Sequence, residues 1–218
     1  MSAPASLPGL ERTSLRQQAL DALRRAISLG ELPPGTHLVE TELSEMLKIS
    51  RGTLREALRE LQQEGLVSAG SRGRLSVRNL DGKEIRDVYA VRGALESLAA
   101  VSLSAMPDRT QVIAELRAAL DGMDRAARGD LEERIESDLD FHRTLCALTG
   151  NETLSRSWQA LEGTIRMSIM FAGAERAISN MGVDRHSELV DAIESGDTER
   201  ARTTITAHMD EAAAKLVS

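Results

Sequence analysis

A chain of 218 residues with one Trp, one Tyr and two Phe, but rich in alanine and aliphatic side chains, is long enough for one large or two modest domains. It suits helices and argues against a β-sandwich or barrel, which draw on β-branched and aromatic residues. The net charge of −7 is unevenly divided: residues 1–80 hold eleven Lys and Arg against nine Asp and Glu, and residues 81–218 hold 16 against 25. A basic head on an acidic body is the pattern of a protein in which only the head meets phosphate. No apolar run reaches the roughly 18–20 residues of a membrane span, and the opening MSAPASLPGL lacks the basic flank and apolar stretch of a signal peptide. The expectation is a cytoplasmic protein without a membrane partner. The single Cys146 cannot form an internal disulfide and is read as a buried structural residue.

Residues 1–10, with two prolines, a glycine and no periodicity, are expected to form a disordered arm. Helical spacing starts at Leu15, runs through Leu20, Leu23 and Ile27, and stops at Gly30. Thr41 is expected to cap a second helix carrying Leu43, Met46 and Leu47, and Ser50 a third carrying Leu54, Ala57, Leu58 and Leu61. LVSAGSRGRLSVR then reads as a β-hairpin. DGKE at 81–84 has the spacing of a capping box and opens a new helix, so a domain boundary is expected near 79–82. Beyond it, punctuation at Pro107, Gly129, Gly150, Gly173 and Gly196 cuts the chain into about six helices with no strand candidate. The predicted fold is mainly α: a winged helix-turn-helix over residues 11–79 and an antiparallel all-helical bundle over residues 83–218.

Arg51, Arg55 and Arg59 recur every four residues and form one basic stripe on the third helix, with the leucines facing inward. A major groove admits such a helix, and its arginines can reach guanine edges or phosphates. The alternative is a solvated face in which Glu56 and Glu60 pair with those arginines. The order helix, capped helix, short turn, basic helix and hairpin favours DNA. At this point the chain closely resembles the GntR family of bacterial transcription regulators, through ALRRAISLGELPPGTHLVETELSEMLKISRGTLREALRELQQEGLV and the following GSRGRLSV. The resemblance implies that Arg51, Thr53 and Arg55 contact DNA from the recognition helix and that Arg72 and Gly73, at the wing tip, enter the minor groove. Some members of the FadR branch have an arginine at the start of the second helix where this chain has Thr41, so their operator sequence does not carry over.

In the body, Asp138 and His142 lie one helical turn apart, on one face. His186 and His208 lie 11 residues on either side of Asp197, which follows the Gly196 turn. An antiparallel hairpin there would bring both histidines to one height, roughly 16 Å from the turn. One Asp and three His in a layer suit zinc, nickel, manganese or iron; ordinary hydrogen-bonded histidines are the alternative, and the reading kept for His37. DLDFHRTLCALTGN and RHSELVDAIESGDTERARTTITAHM resemble the FCD ligand-binding domain of the FadR branch. That resemblance implies a divalent metal held by Asp138, His142, His186 and His208, and a count of six helices points to the VanR-like subgroup. It also implies that Arg92, in YAVRGALE, reaches an effector pocket; the alternative is a surface arginine paired with Glu96.

Three His and one Asp would also serve a metal-dependent enzyme acting on a small carboxylate, but catalysis wants a positioned acid or base. Asp140 and Glu188 are each two residues from a candidate ligand and so point about 200° away around a helix. The expectation is therefore no enzyme. It is a homodimeric, metal-containing regulator, a repressor, which binds a double-stranded operator and is released by a small organic acid. A purely structural metal is the remaining alternative.

Overall fold

The computed structural model describes residues 14–28, 30–70 and 73–217. The expected arm at 1–10 and the wing residue Arg72 lie outside the described residues. The chain divides into two compact units: one runs up to Gln63 and includes Val67–Val77, and the other comprises Glu64–Leu66 and everything from Arg78 onward.

In the first unit, α1 (Leu15–Ser28), α2 (Glu40–Met46) and α3 (Arg51–Gln63) precede an antiparallel hairpin of β1 (Val67–Ala69) and β2 (Leu75–Val77). Val67 lies opposite Val77 and Ala69 opposite Leu75. Leu20, Leu23 and Ile27 on α1 and Leu54, Ala57, Leu58 and Leu61 on α3 are buried, and the two helices pack together. This apolar stripe at helical spacing makes α1 and α3 helices and fixes which faces turn inward. Ser50 caps α3, its Oγ accepting from the Thr53 N–H at 3.1 Å. The start of α2 differs from expectation: it begins at Glu40 behind Val39, which makes no side-chain cap, and Thr41 falls inside the first turn. Glu40 and Glu42 in that turn complement the positive end of the helix dipole instead. Lys48, in the turn into α3, has φ 53°, the one non-glycine in that region among the described residues.

The second unit is helical throughout its described length, with α4 (Gly82–Ser104), α5 (Thr110–Ala126), α6 (Leu131–Ala147), α7 (Glu152–Phe171), α8 (Ala174–Asn180), α9 (Val183–Glu194) and α10 (Thr198–Val217). Six of these have 12 residues or more; the seventh, α8, has seven and sits between Gly173 and Gly182. This short helix brings the number to seven and removes the count of six as a ground for the VanR-like subgroup. Central α4 packs against α10, α7, α6 and α9, and a core of Trp158, Phe141, Leu103, Leu116, Leu139 and Leu145 fills the space between the helices. Among the described residues no helix is long and apolar enough to cross a membrane.

Asp81 caps α4, accepting from the Glu84 N–H at 2.7 Å, but the Glu84 carboxylate pairs with Arg78 and does not close a box. The full capping box forms at α6. The Asp130 side chain accepts from Glu133 N–H at 2.9 Å, and the Glu133 carboxylate accepts from Asp130 N–H at 3.2 Å. Replacing Asp130 by alanine removes one of these bonds and unmoors the other, and is expected to cost about 1 kcal/mol. Asp130→Asn should cost only a few tenths. Denaturant unfolding of both variants measures the difference, and equal losses would contradict it.

Candidate DNA-binding helix and metal centre

On α3, Arg51, Arg55 and Arg59 are all exposed, while Leu54, Ala57, Leu58 and Leu61 are buried. The alternative, pairing within the helix, is not what forms for Arg55 or Glu60. Arg55 Nε donates to Glu40 Oε2 of α2 at 2.7 Å, and Glu60 is taken by Arg16 of α1. Arg51 and Arg59 make no ion pair among the described residues, so two of the three cations stay available to an outside anion. Thr53 is half-buried and its Oγ1 lies 2.9 Å from Ser50 Oγ, which ties its hydroxyl to the cap. At the hairpin, Gly73 has φ 70° and open space where a Cβ would stand. Backbone conformation, not crowding, is the reason for glycine there.

In the helical unit the three candidate histidines converge on one another, and Asp138 stands beside one of them, His186, outside the mutually close group. Asp138 and His142 come from α6, His186 from α9 and His208 from α10, and all four are buried. One ring nitrogen from each of the three histidines falls within a group spanning 4.8 Å. His186 Nε2 lies 3.1 Å from His142 Nε2 and 3.1 Å from Asp138 Oδ1. The other nitrogens are already committed: His186 Nδ1 donates to the Gly182 carbonyl at 2.8 Å, and His142 Nδ1 donates to Glu96 Oε2 at 2.7 Å. With the protons on Nδ1, both Nε2 atoms carry lone pairs; they face each other, and that of His186 also faces a carboxylate oxygen. Three acceptors at this spacing in a buried place repel one another unless a cation lies among them. The donor set, three imidazoles and one carboxylate, is one that transition-metal ions accept. Phe141 stands edge-on to His142 and His186, with centroids 5.2 Å and 5.0 Å away, and walls the group off on its apolar side. His208 also lines a surface groove of about 540 Å³ of mixed charge, with Arg185 and Lys215 against Glu188 and Glu211.

Arg92 is paired with Glu96, as the surface alternative had it, yet both side chains are buried: Nε donates to Glu96 Oε1 at 2.7 Å. Its guanidinium carbon stands 5.2 Å from the centre of the Tyr89 ring. Arg92 Nη2 is buried without a hydrogen-bond partner, which is costly unless something arrives to accept from it. Glu96 and Trp158 are the residues that sequence reasoning did not place in the site; Trp158 Nε1 donates to Glu96 Oε1 at 2.8 Å. A signal was present. Ile85, Tyr89, Arg92, Glu96 and Leu103 follow one helical stripe and are all buried, so two charges on an apolar face already mark a built interior.

Burial pulls the Glu96 carboxyl upward, but the facing His142 ring and the Arg92 guanidinium, with their hydrogen bonds, outweigh it and hold it at about 2. For Asp138, burial is likewise outweighed, by its close contact with the His186 ring and by the positive groups around it, Arg92 among them, and it too is held at about 2. Burial pushes His142 and His208 down, and pushes the Cys146 thiol up, consistent with an inert core cysteine. The folded, metal-free protein thus keeps both imidazoles neutral below about pH 6.5, where an unfolded chain protonates them. The unfolded state binds more protons there, so stability falls on acidification below about pH 6.5. The two carboxylates add a second loss between the ordinary range near 4 and about 2. Melting temperatures of chelator-treated protein should be level above about pH 7 and fall below it; a profile flat to about pH 5 would contradict the buried neutral histidines.

A basic recognition helix with a winged hairpin, joined to a helical unit holding a buried polar centre, defines a transcription regulator with a DNA-binding head and a ligand-binding body. Residues 15–77 match the family of bacterial regulatory proteins called gntR, and residues 87–211 match the FCD domain. The chain belongs to the GntR family, in its FadR-like branch with an FCD domain. It is 29% identical over 201 residues to a probable D-xylose utilization operon transcriptional repressor of Paenarthrobacter nicotinovorans, covering 92% of this chain and 88% of that one. It is 32% identical over 191 residues to an HTH-type transcriptional regulator in an unstable DNA locus of Streptomyces ambofaciens, covering 86% and 78%. Among solved structures, one described as a transcriptional regulator GntR from Rhodococcus sp. RHA1 superposes with a TM-score of 0.74 at 25% identity, covering 93% of this chain and 97% of that one.

Proposed function

We propose that this regulator is a homodimeric repressor whose helical domain carries one divalent metal ion, held by Asp138, His142, His186 and His208, and senses a small organic acid through that metal and Arg92. The observation that carries the reading is the convergence of the His142, His186 and His208 ring nitrogens, with His186 Nε2 lying 3.1 Å from both His142 Nε2 and Asp138 Oδ1. Zinc, nickel, manganese and iron all suit the donor set. Buried Arg92 Nη2, without a partner, favours an anion as the ligand, since a carboxylate satisfies a guanidinium edge.

Arg51, Arg55, Arg59 and Thr53 from α3, with Arg72 and Gly73 from the wing, form the DNA contact in this reading. Two-fold operators call for two heads. Val91 and Leu98, 51% and 50% exposed and seven residues apart on α4, support a second copy packing there. Repression follows the function named for the Paenarthrobacter relative.

The test is an operator complex, with DNA selected from a random pool, challenged with a panel of small carboxylic acids before and after chelation. Release by one acid only in the metal-loaded protein is the expected result. Metal bound stoichiometrically with no acid changing operator affinity would mean that the ion only braces the helices. Turnover of a bound acid would restore the enzyme alternative.

A further inference from the structure

Glu96 is fully buried and stands where α4, α6 and α7 meet. Its two oxygens are divided. Oε2 faces His142 Nδ1 at 2.7 Å, and Oε1 accepts from both Arg92 Nε at 2.7 Å and Trp158 Nε1 at 2.8 Å. The division is asymmetric in chemistry. Arg92 Nε and Trp158 Nε1 can only donate, whereas an imidazole nitrogen can donate or accept according to its tautomer. Two obligatory donors therefore fix which oxygen points at them, and the remaining oxygen dictates the state of the ring. Facing a carboxylate oxygen, His142 must carry its proton on Nδ1 and leave Nε2 bare.

We propose that Glu96 is a positioning residue for the metal centre: oriented by Arg92 and Trp158, it selects the one tautomer of His142 whose Nε2 can ligate. The inference rests on the metal reading above and adds a residue that touches no ion. A ring whose far nitrogen is bound to a carboxylate is also the more basic ligand. Arg92 is then one hydrogen bond removed from a ligand ring, because both groups hold the same carboxylate.

Glu96→Gln separates this role from simple packing. The amide has nearly the same shape, but one oxygen and one NH2. Arg92 and Trp158 demand the oxygen, so the NH2 is turned to His142 Nδ1. The ring must then accept at Nδ1 and carry its proton on Nε2, which blocks the metal position. Glu96→Asp keeps a carboxylate and should keep the wild-type tautomer.

The experiment reads the imidazole nitrogen signals of isotope-labelled, metal-free protein at about pH 8, above the ordinary histidine range, and zinc affinity by chelator competition. Wild type should show His142 protonated at Nδ1. Glu96→Gln should show the proton on Nε2 and bind zinc about 10–100-fold more weakly, and Glu96→Asp should match wild type in tautomer. A wild-type His142 protonated on Nε2, or a Glu96→Gln variant with wild-type tautomer and zinc affinity, overturns the proposal. If Glu96→Gln does not fold, the wild-type and Glu96→Asp spectra decide it. A tautomer swap in a protein whose wild type takes up no zinc would sink the metal reading while leaving the control of His142 by Glu96 intact.

Discussion

Replacing His186 by alanine should weaken zinc binding at the proposed metal centre by more than about 100-fold. Outer partners of a ligand are worth about 10–100-fold, and His186 is more central than that. Its Nε2 is the atom shared between His142 and Asp138, at 3.1 Å from each, and its ring is aimed by the Gly182 carbonyl at the start of α9. The stability consequence has a sign that distinguishes a metal site from an ordinary buried histidine. An ion present at about a thousand times its dissociation constant stabilises the fold by about 4 kcal/mol, and His186→Ala should forfeit most of that. In chelated protein the same substitution also removes one of three mutually repelling acceptors, so its cost there should be smaller. Thermal unfolding of wild type and variant, each with zinc and with chelator, tests this. Equal losses in both conditions would leave His186 as a packing residue only.

Replacing Arg55 by alanine should weaken binding to the selected operator by about 1–3 kcal/mol, roughly 5–150-fold, with little change on random DNA, if the residue reads a base. Glu40 engages Arg55 Nε at 2.7 Å and leaves the outer edge of the guanidinium for a guanine. Arg51, at the first position of α3 and free of any ion pair among the described residues, should behave differently. Its loss should weaken specific and random DNA alike and reduce the salt slope by about one phosphate. Titrations at several salt concentrations separate the two. A log–log slope near zero, against about −0.9 per neutralised phosphate, would contradict docking by this helix.

The parts of the molecule that local spacing governs were readable from the chain. The α3 stripe needed only a period of four, and the meeting of His186 with His208 needed only their equal distance from Asp197 and a tight turn at Gly196, which has φ 75°. Three features escaped for physical reasons. The seven-residue α8 is too short to show a periodicity, and α2 starts behind an uncapped Val39, with Glu40 and Glu42 in its first turn, where a Thr41 cap was expected. The Glu96 junction escaped because its partners lie 46 and 62 residues away. Arg92 and Glu96 look like any exposed pair four residues apart until the stripe shared with Ile85 and Tyr89 is weighed. Likewise Glu60 finds Arg16, 44 residues back, in preference to the arginines beside it.

Whether the helical domain of this DNA-binding protein bears a metal is read directly from anomalous scattering by crystals of the full chain grown from protein as purified. One strong peak per chain is expected, enclosed by His142, His186, His208 and Asp138. Crystals grown after zinc and nickel supplementation that show no peak there would contradict the metal reading.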